Sequence, residues 1–68
     1  MDFKYVHKNI TYYFSYFKSM PDKIHIDICI NNYSDIQGGW YQVINLKQFI
    51  PVEVYNYYNR IIKLKAFA

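Results

Sequence analysis

The sequence predicts a small α+β domain in which a three-stranded antiparallel meander packs against an amphipathic C-terminal helix. Three features carry this prediction: a run of alternating isoleucines, an aromatic-rich run near the start of the chain, and a helical pattern of apolar residues near its end. Because 68 residues are too few to build a second hydrophobic core, residues 1–68 are expected to form a single domain.

The segment 3–18 fits two interpretations. Its second half, residues 10–17, is dense in β-branched and aromatic residues, which favour sheets and predict the first strand. On a helical wheel, however, six apolar residues share an arc of about 100°: Phe3, Val6, Ile10, Tyr13, Phe14 and Phe17. The alternative is therefore an α-β-β-α arrangement in which residues 3–18 are helical.

The isoleucine run predicts a strand from Lys23 to Asn31. Isoleucine occupies every second position from Ile24 to Ile30, and polar residues and a cysteine lie between. Period-two alternation is typical of a strand with one face in the core. Met20-Pro21-Asp22 predicts the turn that leads into it.

Both glycines of the chain, Gly38 and Gly39, end a polar stretch, so residues 31–39 are expected to form a loop. Trp40 to Leu46 then predicts a third strand, with Trp40 and Leu46 on the same side.

The last element is predicted to be a helix that begins at Pro51, since proline suits the first helical position and Glu53 suits the positive end of the helix dipole. Apolar and aromatic residues fill about half of the helical wheel: Val54, Tyr55, Tyr57, Tyr58, Ile61, Ile62 and Leu64. So wide an apolar face predicts contact with both the sheet and a second subunit.

Aromatic content sets the functional prediction. Nine tyrosines, five phenylalanines and one tryptophan are more rings than so small a core is expected to hide, so some should meet another molecule. A homo-oligomer, with a dimer as the simplest form, and a second protein as target are expected. The predicted interface residues are Trp40, Tyr41, Tyr33, Tyr55 and Tyr58.

The formal net charge of +3 supports an alternative function, the binding of nucleic acid or a nucleotide. Tyrosines would stack on bases, and the densest group of cations would contact phosphates: Arg60, Lys63 and Lys65. The remaining cations are spread along the chain, which weakens this alternative.

A metal or catalytic site is not expected. His25, Asp27 and Cys29 would share one strand face, but the first and last of these are about 13 Å apart along a strand, too far to bind one ion. The pair Gly38-Gly39 lacks the lysine and hydroxyl residue of a phosphate loop. We therefore predict no enzyme activity, no cofactor and no metal.

The cellular location is predicted from three patterns that the sequence lacks: a signal peptide, a membrane span and a pair of cysteines. It shows no signal-peptide pattern and no apolar run near the ~18 residues that a membrane span needs, and its single cysteine has no partner for an intrachain disulfide. A cytoplasmic protein without membrane contact is expected. Its length and its richness in Tyr, Asn, Ile and Lys suggest a small regulator or inhibitor from a phage, another virus or a mobile element, which would act in the host cytoplasm.

Overall fold

The computed structural model describes residues 1–30 and 35–65, and side chains for residues 1–30 and 37–64. Its elements follow one another along the chain as four strands, a short 3₁₀ helix and a C-terminal α-helix. They are β1 (Asp2–His7), β2 (Ile10–Ser15), β3 (Lys23–Ile30), β4 (Asp35–Gln42), the 3₁₀ helix (Val43–Gln48) and α1 (Val52–Lys65).

The strands form one antiparallel sheet in the order β1-β2-β3-β4. The α+β class, the antiparallel meander and the C-terminal helix are thus confirmed. The predicted count of three strands is corrected to four, because the segment before the first predicted strand pairs with it from Asp2↔Ser15 to His7↔Ile10.

The alternative of a helix over residues 3–18 is wrong. Lys8 and Asn9, between β1 and β2, have positive φ angles of 50° and 67°, the geometry of a tight two-residue hairpin turn. Such a turn breaks a helix, and it allows the β-branched and aromatic residues on both sides to pair as strands.

The prediction for residues 31–46 is also corrected. Both glycines lie inside β4, and neither has a positive φ; they are extended residues rather than loop residues. Residues 43–48 form the 3₁₀ helix instead of the end of a strand. The Val43 N–H donates to the Asp22 carbonyl oxygen (2.9 Å), where the chain leaves the sheet. Residues 31–34 of the predicted loop lie outside the described residues.

Helix α1 begins one residue later than predicted. Pro51 precedes it, and its carbonyl accepts a hydrogen bond from the Tyr55 N–H (3.0 Å). The predicted apolar face is confirmed at Val54 and Tyr58, which are buried, whereas Leu64 is 63% exposed. No helix in the described part of the chain has the length and apolar character needed to cross a membrane.

The core lies between one face of the sheet, here called the inner face, and the two helices. Phe3 and Phe14 stack on adjacent strands with ring centroids 4.9 Å apart, and Tyr58 of α1 packs on Phe14 at 5.7 Å. The buried core residues are Tyr12, Phe14, Ile24, Ile26, Leu46, Ile50, Val54 and Tyr58. Because side chains alternate along each strand, the other face carries a different set.

Candidate functional site

The opposite side of the sheet, here called the outer face, is not covered by either described helix. One cross-strand row on this face runs from Asp2 to Ser15, His25 and Trp40, and the next runs from Lys4 to Tyr13, Asp27 and Gly38. Most of these residues are polar, as expected for the solvent side of an antiparallel sheet. Trp40 is the exception.

Trp40 belongs to a group of three rings on the outer face, here called the aromatic patch (Phe17, His25 and Trp40). The Phe17 and Trp40 ring centroids lie 5.7 Å apart, and His25 meets Trp40 edge-on at 5.1 Å. Trp40 is nevertheless 51% exposed and Phe17 is 42% exposed. The rings thus support one another while much of their apolar surface remains open to solvent.

Polar groups border the aromatic patch on its β3 side. The His25 Nδ1 lies 3.9 Å from an Asp27 carboxylate oxygen, and these side chains are 29% and 45% exposed. A Cβ added to Gly38 would collide with that same carboxylate oxygen, so Asp27 lies over the space that the glycine leaves empty. A contact this long and exposed adds little stability, and its groups remain accessible to a partner.

A shallow depression of about 400 Å³ continues the outer face away from the aromatic patch. Its lining includes two carboxylates and one ammonium group, from Asp2, Asp27 and Lys4, together with Tyr13 and Ser15. Small-molecule sites usually enclose most of the ligand, whereas this depression lies on an open sheet.

The predicted interface residues fall in different places. Trp40 lies on the outer face. Tyr41 points to the inner side, is half-buried and packs against Phe49 with ring centroids 5.4 Å apart. Tyr33 lies outside the described residues. The structure therefore does not bring Trp40 and Tyr41 onto one surface, because neighbouring strand residues face opposite ways.

Tyr55 and Tyr58, both on α1, pack inward. Tyr58 is 3% exposed; burial, followed by the charges of Tyr55 and Tyr16, raises its pKa to about 12. Tyr55 is half-buried, and the Lys47 Nζ lies 5.0 Å from its ring centroid, within the range of a cation–π contact. Within the single chain both tyrosines hold the helices to the sheet.

The predicted phosphate-binding residues lie on the helix side of the molecule. Arg60 and Lys63 are exposed on α1, across the sheet from the aromatic patch, and the side chain of Lys65 lies outside the described ones. Arg60 and Lys63 therefore lie on a different side of the domain from Trp40, and on the same helix as Tyr55 and Tyr57.

His25, Asp27 and Cys29 of β3 are the residues that the sequence offers as metal ligands. In the described residues, no group of three His, Cys, Asp or Glu side chains is placed to hold a metal ion. Cys29 is a free thiol, 5% exposed, and it packs as a small apolar side chain.

Phe17 is the residue that the sequence reasoning missed. The sequence predicts it as the last residue of a strand, whereas β2 ends at Ser15. The alternation of Tyr13 and Ser15 on the outer face, continued by two residues, would have placed Phe17 there. A signal for its exposure was thus present, but its contact with Trp40 spans β3 and depends on the register of three strands, which the pattern within one segment does not give.

Comparison of the chain with models of known protein families finds no match, nor does comparison with curated proteins or with solved structures.

Proposed function

We propose that the chain is a non-catalytic protein-interaction module that works as a homo-oligomer and binds a target protein through its aromatic patch. One observation carries the proposal. Trp40 and Phe17 pack together on the outer face and remain 51% and 42% exposed. Exposed apolar clusters rimmed by polar groups are typical of protein-binding surfaces.

The residue types in the aromatic patch, and the packing of Phe17 and His25 on Trp40, favour tight binding of a target. Tryptophan is among the residues that most often dominate binding energy, especially at the centre of a contact with polar groups around it. Phe17 and His25 restrict the Trp40 ring before binding. A restricted ring loses less conformational entropy when a partner covers it.

The charges around the aromatic patch indicate the chemistry of the target. Asp2, Lys4 and Asp27 place charges of both signs on the outer face, so neither a strongly acidic nor a strongly basic partner is favoured. We propose a target that offers an apolar pocket to Trp40 and Phe17 and polar groups around it. By covering part of that target, the chain would act as a regulator or inhibitor.

Capture of the target followed by titration tests the proposal. The immobilised chain is used to isolate a partner from the source cells, and the partner is then purified and titrated by calorimetry. We expect Trp40→Ser/Phe17→Ser to weaken binding about 30-fold or more, the loss of at least one dominant contact. Both residues are exposed, so the variant should fold, which far-UV circular dichroism checks.

Val52→Ser/Leu64→Ser is the matched control. Both residues are 63% exposed apolar residues of α1, so this variant removes a similar kind of surface from the helix side. It should bind the target as the unchanged chain does. Equal binding by the patch variant, or equal weakening by the control, would overturn the assignment of the outer face.

A further inference from the structure

The two edges of the sheet differ in how they are protected from pairing. An edge strand leaves about half of its backbone N–H and C=O groups without a strand partner. Edge strand β1 carries Asp2 and Lys4, both exposed, and Tyr57 of α1 packs beside it on Phe3 and Tyr5. Charges, lysine above all, and a covering helix are the usual means by which proteins prevent edge pairing.

Edge strand β4 has fewer of these devices. Its one charged residue is Asp35 at its start, and residues 36–42 contain neither a charged residue nor a proline. The pairing with β3 is continuous over all eight residues, from Lys23↔Gln42 to Ile30↔Asp35. The main contacts of β4 among the described elements are with β3 and with the 3₁₀ helix that follows it. It is therefore a regular edge, uncharged over residues 36–42, of a kind that pairs readily with another strand.

We infer that two copies of the chain dimerise by antiparallel pairing of their β4 edges, which joins the two sheets into one. This inference rests on the self-association in the proposed function and specifies where the copies meet. A second copy is the favoured occupant because antiparallel pairing of one strand with itself is two-fold symmetric, the commonest arrangement of small oligomers. The uncharged residues 36–42 then form the centre of the pair, and the two Asp35 residues lie toward its opposite ends, so like charges do not face each other.

Geometry limits the register of the pair. Directly opposite residues of antiparallel strands point to the same side of a sheet. In the symmetric pair, a residue must therefore lie opposite its own copy, and the two-fold axis passes between these two equivalent residues. The middle of β4 offers Gly38 and Gly39 for this position. The two Trp40 residues would then lie about 7 to 13 Å apart along the strands, on one face of the joined sheet.

The consequence is a double binding surface. Both aromatic patches point to the same side and lie close to the axis, so one target could contact both. Ile44, which follows β4 by two residues, is 90% exposed and supplies apolar surface just beyond the paired strands.

Sedimentation equilibrium tests the inference. The unchanged chain should show twice the 8.3 kDa mass of one chain at high concentration. Gln37→Lys/Gln42→Lys places lysines at two exposed positions of β4 and should weaken the dimer about 10-fold or more, because pairing would bring the added lysines of both copies together along one edge, and edge lysines oppose strand pairing. Gln48→Lys/Asn56→Lys adds the same charge at exposed positions elsewhere and should dimerise normally.

Hydrogen exchange gives a second measurement that needs no variant. Alternate amides of β4, those that point away from β3, should become protected as the concentration rises, while the corresponding amides of β1 stay fast. A chain that is monomeric at all concentrations, an edge variant that dimerises as tightly as its control, or unprotected β4 amides in a dimer would each overturn the inference.

The variant with Trp40→Ser/Phe17→Ser separates this inference from the target-binding proposal. We expect it to dimerise and to lose the target. If the unchanged chain is a monomer that still binds the target through the aromatic patch, the edge pairing is wrong and the target site stands. If the patch variant is monomeric while the edge variant dimerises, the copies meet on the outer face and the inference fails.

Discussion

The two faces of the sheet come from the same strands but differ in what covers them. On the inner face, Ile24 and Ile26 are 0% exposed and Phe14 is 1% exposed. On the outer face, Val6 is 58% exposed and Trp40 is 51% exposed. Because side chains alternate along each strand, the inner-face residues stabilise the fold, and exposed outer-face residues can differ in type to suit a binding partner without disturbing the core.

The difference matters more in a small domain than in a large one. A core of this size seldom leaves more than about 3–5 kcal/mol of net stability, and each fully buried large apolar side chain contributes about 1.5–3 kcal/mol. Truncating a single buried side chain of the inner face should therefore cost nearly as much as the whole free energy of unfolding of the domain. Exposed outer-face residues such as Trp40 should carry little of it.

The largest expected effect is that of Phe14→Ala. Phe14 stacks on Phe3 and packs against Tyr58, and removing a buried phenylalanine costs about 3–5 kcal/mol. The variant should be largely unfolded at 25 °C by circular dichroism. Phe17→Ala is its matched control, since Phe17 is 42% exposed, and it should shift a urea unfolding curve by less than about 1 kcal/mol.

Equal losses from the two alanine variants would contradict the comparison. They would mean that the outer face stabilises the isolated domain as much as the inner face does.

A smaller effect is expected from pH. Burial raises the pKa of Tyr58 to about 12, from an ordinary value of 10.0, a difference that corresponds to about 2 to 3 kcal/mol. In the unfolded chain the hydroxyl ionises first, so this stabilisation is fully present below pH 10 and is lost as the pH rises from 10 to 12. Urea unfolding followed at 222 nm at a series of alkaline pH values measures it.

Tyr58→Phe is the control for the pH effect, since it keeps the ring and removes the ionising group. Its stability should fall less steeply than that of the unchanged chain over the same pH range. Burial also raises the pKa of Tyr12, so part of the alkaline loss should remain. A variant with an unchanged pH profile would show that Tyr58 is not the group responsible.

Parts of the fold that depend on long periodic runs could be predicted from the sequence. The isoleucines of β3 recur at every second position, and the described strand, Lys23–Ile30, begins at the predicted residue; Asn31, the predicted last residue, lies outside the described residues. The helix pattern is similarly clear, and α1 begins one residue after the predicted start. In both elements the local pattern and the tertiary packing agree.

Other parts could not be predicted, because local signals pointed elsewhere. Gly38-Gly39 is typical of a loop, but in β4 the first glycine makes room for the Asp27 carboxylate, a cross-strand need that is invisible in a single segment. In the first hairpin, the apolar residues fit both a helical wheel and two strands. Only the turn at Lys8 and Asn9 separates those interpretations.

The candidate site was predictable to a smaller extent. Trp40 was expected on a surface, and it is exposed. The wide apolar face of the helix predicts an interface role for Tyr58, whereas the structure buries it on Phe14. Whether a ring on such a face contacts the sheet or a partner depends on the width of the sheet. The sheet has four strands and is wider than predicted.

Acrylamide quenching of Trp40 fluorescence is the most direct test of the claim that the outer face is open in the isolated chain and covered by the target. Trp40 is the only tryptophan of the chain, so a tryptophan-free target, or one whose tryptophans are replaced, leaves a signal from this site alone. We predict ready quenching in the dilute free chain, and strong protection with a blue-shifted emission in the complex. Unchanged quenching and emission in a complex whose formation is shown independently would contradict the account.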